Sequence, residues 1–302
     1  MALLRVHRVR ALGGPCALHL YAASEAALDQ AAATGEAELL RIEHKYSRYR
    51  DDSIVSQINV RAGSGELVAV DDETAALLDY ASTLHQQSDG RFDITSGILR
   101  RAWDFKAKRV PTQAEIDALL PLIGWPLVDW QRPHIALTRV GMELDFGGFG
   151  KEYAADRVAA ILIGMGIRHG LVDLGGDLRV IGPHPDGAPW QIGIQHPRAE
   201  GAIALLSLRG GAIASSGDYE RGFERDGIRY GHILNAATGW PAQGLAGASV
   251  LAEQCLIAGS AATCAMLFGA VDGPKWLAEL GLPHLCIDAQ MNVSGSVAYE
   301  KV

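Results

Sequence analysis

The segment Leu144-Asp145-Phe146-Gly147-Gly148-Phe149-Gly150-Lys151 places three glycines and a cation between a strand-like apolar run and a helical pattern. Free backbone amides at a helix start attract anions, glycines let the backbone approach a pyrophosphate, and Lys151 adds positive charge. The same glycines also suit a plain tight turn. Their spacing departs from G-x-G-x-x-G, which disfavours an ordinary dinucleotide-binding dehydrogenase. A second Asp-x-Gly-Gly, Asp173 to Gly176, reads either as a facing turn of the same site or as a hairpin turn. Ser215-Ser216-Gly217-Asp218-Tyr219-Glu220-Arg221 follows an apolar strand end, where side chains often reach a cleft, though Asp218 and Glu220 also suit a surface turn. His232 in Gly-His-Ile-Leu-Asn is either a core histidine or a positioned base.

Regular elements must hold these turns. Residues 16 to 22 alternate like a strand, and Leu28, Ala32, Leu39, Ile42 and Tyr46 then share one helical face. A second helix is predicted over Glu73 to Gln87, capped by Asp71 or Asp72, with Asp79 and Gln86 toward water. Thr112 and Glu115 have capping-box spacing for a third helix, Thr112 to Leu120. After the first glycine loop, Ala154, Val158, Ile161, Leu162 and Met165 repeat at helical spacing. Short runs from Gly170 onward, GLVDLGG, LRVIG, WQIGIQ, AIALLSL and GAIAS, predict antiparallel strands. A last helix is expected over Ile257 to Phe268. The sum is an α+β fold of two interleaved subdomains, mainly antiparallel sheet with helices packed on it, forming one domain over residues 1–302.

Composition narrows the function classes. At 302 residues and 48% hydrophobic content the chain can fill a large core. A net charge of −8 argues against nucleic acid gripped through its phosphates. Cys16, Cys255, Cys264 and Cys286 lack C-x-x-C spacing and read as buried free thiols. No apolar stretch approaches the ~20 residues of a membrane span, and the opening residues lack a signal-peptide pattern. A cytoplasmic protein without a membrane span is the expectation.

Taken together, the motifs resemble the ApbE family of FAD:protein FMN transferases, from about Leu12 to Gly269. Ser47 to Ser53, with Asn59, is similar to the family's S-R-x-R-x-D-S pattern, and Asp89 to Gly97 to its D-G-x-F-D-x-T-x-G. Asp145 to Tyr153 is similar to D-L-G-G-x-A-K-G-Y, Val172 to Asp177 to N-L-G-G-D, and Ser216 to His232 to S-G-D-Y-E-R followed by H-I. The resemblance implies FAD as substrate in a cleft between subdomains, magnesium on its pyrophosphate, and transfer of FMN to a Thr or Ser hydroxyl of an acceptor flavoprotein with release of AMP. It further implies that Leu12, Tyr49, Arg91, Phe92, Asp93, Asp145, Lys151, Ser216, Gly217, Asp218, His232 and Ile233 line the flavin nucleotide. His232 would be the base for the acceptor hydroxyl, and Gly148, Ala262 and Thr263 would hold the metal.

One departure falls on the metal site. The family's last helix opens A-D-A-x-x-T, with the Asp a metal ligand, whereas this chain reads Ala258-Gly259-Ser260-Ala261-Ala262-Thr263. Gly259 replaces that ligand, so the alternative to an active transferase is an FAD-binding carrier or sensor with weakened or lost transfer. A carboxylate restored at 259 is expected to converge with Thr263 on one ion and strengthen magnesium binding.

Overall fold

The computed structural model describes residues 2–301. It opens on a hairpin of β1 (Leu3–Ala11) and β2 (Gly14–Ala22), turned by Leu12 and Gly13 at φ 54° and 79°. Two-residue turns with both centres at positive φ match the strand twist. In α1 (Glu25–Tyr46) the expected face is buried, from Leu28 to Tyr46, and Ser24 accepts the N–H of Ala27. Next come α2 (Ile54–Asn59), β3 (Val68–Ala69) and α3 (Asp72–Gln87), the last capped by Asp71. Gln86 is exposed as expected, but Asp79 is half-buried. It accepts the Trp130 indole N–H at 2.7 Å and pairs with Arg132, because the hairpin of β4 (Val128–Gln131) and β5 (His134–Leu137) covers that side of α3. α4 (Gln113–Leu119) has the full Thr112–Glu115 capping box.

α5 (Gly150–Gly164) buries Ala154, Val158 and Leu162, while Met165 lies past its end and is exposed. The predicted strands follow as β6 (Gly170–Leu174), β7 (Asp177–Gly182), β8 (Trp190–Gln195), β9 (Ala202–Leu208) and β10 (Gly211–Gly217). A short pair, β11 (Phe223–Arg225) and β12 (Ile228–Tyr230), precedes β13 (Leu245–Ala252). Then come α6 (Cys255–Glu279), β14 (His284–Asp288), β15 (Val293–Gly295) and β16 (Glu300–Lys301).

An eight-stranded antiparallel sheet, ordered β1-β2-β6-β7-β10-β13-β14-β15, is the frame. Period-two alternation divides its two faces. Val172, Leu174, Ala212 and Ala214 join the core beneath α1 and α5, whereas Leu171, Leu178 and Ile213 join Trp190, Ile194 and Leu206 of the small β16-β9-β8 sheet. A separate cluster of Leu99, Trp103, Ile116 and Phe223 draws on both halves of the chain, so the lobes interleave.

α6 corrects the reading that no segment is long and apolar enough to span a membrane, for by length and composition it is. More than half of its apolar window is buried, it packs on β13, β10 and α5, and its helical geometry breaks at Gly269. Its hydrophobicity is that of a helix covered on several sides.

Candidate functional site

The first glycine loop is held by its aromatic residues. Phe149 is fully buried, stacked at 6.3 Å on Phe92 and edge-on to Tyr80 at 5.9 Å, while Gly147 and Gly148 stay exposed just before α5. Around that helix start the Gly147 N–H is donated to Asp145 and the Phe149 and Gly150 N–H groups to the Phe146 carbonyl, so most of these amides are engaged within the loop. Lys151 on the first turn pairs with Asp177 at 2.5 Å, across to the second glycine turn. A Cβ on Gly175 would stand 4.0 Å from the Lys151 Nζ and 3.7 Å from the Pro15 carbonyl, so the two glycine turns face each other and the Leu12 turn adjoins them. Burial pulls the Lys151 ammonium down, but Asp177 and Glu152 outweigh it and the net shift is upward.

The remaining sequence-selected residues divide by how far they are already engaged. Asp145 is bound to Arg48 and to the Gly147 N–H, at 2.9 Å for the latter. Asp93 is buried and satisfied by Thr95 and the Trp125 N–H at 2.7 Å, with His85 beside it, so its carboxylate organises its own loop. Phe92 is likewise buried behind the loop. Arg91 lies over the Phe268 ring at 4.6 Å. Tyr49 is 81% exposed, and the Arg48 hydrogen bond lowers its phenol pKa. Asp218 receives a two-pronged pair from Arg198 at 2.6 and 2.7 Å. Gly217 has Tyr219 ring carbons within 2.9 Å of where a Cβ would sit, and Ser216 bonds Thr263 at 3.0 Å. Ile233 packs at the core edge, its carbonyl accepting the Ala242 N–H at 2.8 Å.

His232 is partly buried, and burial, with the Arg221 and Lys151 charges nearby, lowers its pKa to about 4. Arg221 acts on Tyr49 as well, so the first, third and last motifs meet around it. The imidazole is neutral near pH 7 and its buried Nδ1 has no partner. Among the described residues nothing therefore fixes, through Nδ1, which ring nitrogen carries the proton.

Two residues at the α5–α6 contact, Asp156 and Glu152, escaped the sequence reading. Asp156 accepts the Cys255 and Leu256 N–H groups at 2.8 Å each, capping α6 from another helix, and is anchored by Arg179. One turn earlier, Glu152 is buried against Gly259: a Cβ there would lie 2.8 Å from Glu152 Oε1 and 2.9 Å from its Cδ. Among the described residues the buried Glu152 Oε2 and Ser260 Oγ have no hydrogen-bond partner within normal reach, while the Glu152 carboxyl faces Asp177 and Ser260 faces the Tyr80 hydroxyl. Burial, reinforced by Asp177, pushes the Glu152 carboxyl up to about 8. An acidic residue in a first helical turn is what the helix dipole favours anyway, and the one sign in the sequence is that Glu152 stands where the D-L-G-G-x-A-K-G-Y pattern has Gly. The room expected for a carboxylate at 259 is already taken.

The α5 positions 156 and 152 meet α6 positions 255 and 259, so the helices run in opposed directions. Thr263 is half-buried in an otherwise buried stretch, whereas Ala262 is fully buried and offers only a mid-helix carbonyl. Among the described residues no three His, Cys, Asp or Glu side chains converge. The set is instead one unpartnered carboxylate oxygen with hydroxyls and carbonyls, and it fits a hard cation that completes its shell with water and phosphate oxygens.

Comparison with known proteins gives the lineage. The ApbE family matches residues 12–286. The FAD:protein FMN transferase of Rhodobacter capsulatus is 32% identical over 234 residues, 76% of this chain but 45% of that relative. The FAD:protein FMN transferase of Vibrio cholerae is 31% identical, with 82% of this chain and 76% of that relative covered. The crystal structure of the ApbE protein from Thermotoga maritima superposes with a TM-score of 0.88 at 31% identity, over 97% of both chains. With its motifs, fold and facing glycine turns all in agreement, this chain belongs to the ApbE family.

Proposed function

We propose that the protein is an FAD:protein FMN transferase, joining the FMN phosphate of FAD to a Thr or Ser hydroxyl of an acceptor flavoprotein. The observation that carries this reading is the meeting of two glycine turns and Lys151 with a histidine held neutral. The exposed Gly147-Gly148 turn lets the pyrophosphate approach the Lys151 ammonium, and Tyr49 and Arg91 offer flat contacts for flavin or adenine. His232 takes the proton as the acceptor oxygen bonds to the FMN phosphorus. The P–O bond to the AMP phosphate breaks, and AMP leaves with the bridging oxygen. Thr263 and the Gly148 and Ala262 carbonyls would hold magnesium, which would supply charge neutralisation at the pyrophosphate.

Gly259 favours the carrier or sensor as second reading. Incubation of the protein with FAD, magnesium and an acceptor domain, followed by a denaturing gel, separates the two. Flavin fluorescence on the acceptor band supports the transferase, and FAD bound without covalent transfer supports the carrier.

A further inference from the structure

We propose that Glu152, reaching across from α5, is this protein's carboxylate ligand for the divalent cation, occupying the space that Gly259 leaves on α6. The inference rests on the transferase reading above, because it assigns a ligand within the same site.

The geometry admits one carboxylate at this place. A side chain on residue 259 would overlap the Glu152 carboxyl, with Oε1 and Cδ within 2.9 Å of its Cβ. Glycine at 259 is therefore what lets Glu152 enter, and Glu152 arrives on the α6 face that carries Thr263 one turn on. Glu152 is 8% exposed, its Oε2 has no partner, and among the described residues no cationic nitrogen pairs with it. Its acidic neighbour Asp177 already holds the Lys151 ammonium and the Ser215 N–H. A carboxyl buried beside another carboxylate ionises readily only when a cation pairs with it. A divalent cation at this place would supply that charge. In place of a missing ligand the chain thus has a ligand moved from one helix to its neighbour.

The test uses the full chain loaded with FAD, with Mn²⁺ as the probe and free Mn²⁺ read by electron paramagnetic resonance. Glu152→Gln keeps the shape, removes the charge and is expected to weaken Mn²⁺ binding roughly tenfold or more, with FAD affinity in EDTA within a few-fold of the parent. The paired substitution Glu152→Gly with Gly259→Asp should recover most of the loss suffered by Glu152→Gly alone, since the carboxylate returns from the other helix. A folded Glu152→Gln variant that binds Mn²⁺ within about twofold of the parent overturns the assignment. So does a paired variant no better than Glu152→Gly, a comparison that holds even where the Gln variant fails to fold. Glu152-dependent Mn²⁺ binding without FMN transfer would sink the transferase reading and leave this ligand in place. FMN transfer without Glu152-dependent Mn²⁺ binding would do the reverse.

Discussion

His232 shows how the setting of a single side chain decides its use. Burial and two nearby cations keep His232 in its free-base form at ordinary pH while weakening it as a base; on the proposed reading it still takes the acceptor proton, so His232→Asn should lower transfer by ~10²–10⁴-fold with FAD affinity little changed. Single-turnover transfer and flavin titration on the same preparation measure both. The same shift has a stability consequence. The folded pKa of about 4 lies below the ordinary value of 6.5, so the favourable contribution is whole above pH 6.5 and is lost as pH falls through 4. Urea midpoints should therefore drop more steeply between pH 7 and 4.5 for the native protein than for His232→Asn. Gly259→Asp alone, expected from sequence to restore a ligand, should instead destabilise the fold by about 1–3 kcal/mol, because it places a bulky anion against buried Glu152. Thermal denaturation of that variant checks the direction; an unchanged midpoint would mean that Glu152 swings aside.

At the level of elements, the site depends on how α5 docks on α6. Asp156 and Glu152 are four residues apart and lie on one face of α5. The first satisfies the buried start of α6 and the second meets Gly259, so the cap also fixes the register that sets Glu152 against Gly259, one turn from Thr263. Gln254 gives α6 no side-chain cap of its own. Asp156→Ala should thus cost about 1–2 kcal/mol, as lost caps do, and should raise the magnesium concentration needed for transfer more than it alters FAD binding. Denaturant unfolding and a magnesium series on the variant test the two halves separately. Lys151 plays a comparable part between α5 and the β6–β7 turn, where its pair with Asp177 holds the two glycine loops face to face.

For the molecule as a whole, the eight-stranded sheet ties together turns far apart in the chain: the Leu12 turn, the 175–176 turn and the end of β10 all belong to strands of one frame. On the proposed reading, in which the site contacts both phosphates and the adenosine, FAD should bind at least ~10-fold tighter than FMN, about 1.4 kcal/mol. Calorimetric titration of both flavins measures this, and equal affinities would remove the AMP half from the binding site.

The helices, their caps and most strands were legible in local pattern, because burial on one face imposes periods of 3.6 and 2 and cap residues have short-range partners. The face of α1, the Thr112 capping box, the strand series from Gly170 and the four buried free thiols are of this kind. The family, too, was legible, since its motifs lie in short contiguous stretches. What local pattern left open depends on which elements touch. Asp79 pointed to water until the β4–β5 hairpin covered it, α6 passes for a spanning segment until its neighbours are seen, and Asp93 is used up within its own loop. Gly259 read alone is a lost ligand; beside Glu152 it is the gap that a side chain from another helix fills. Residues 152 and 259 are brought together only when α5 and α6 pack, so neither position carries a local signal of the other, and tertiary contact alone decides what each one does.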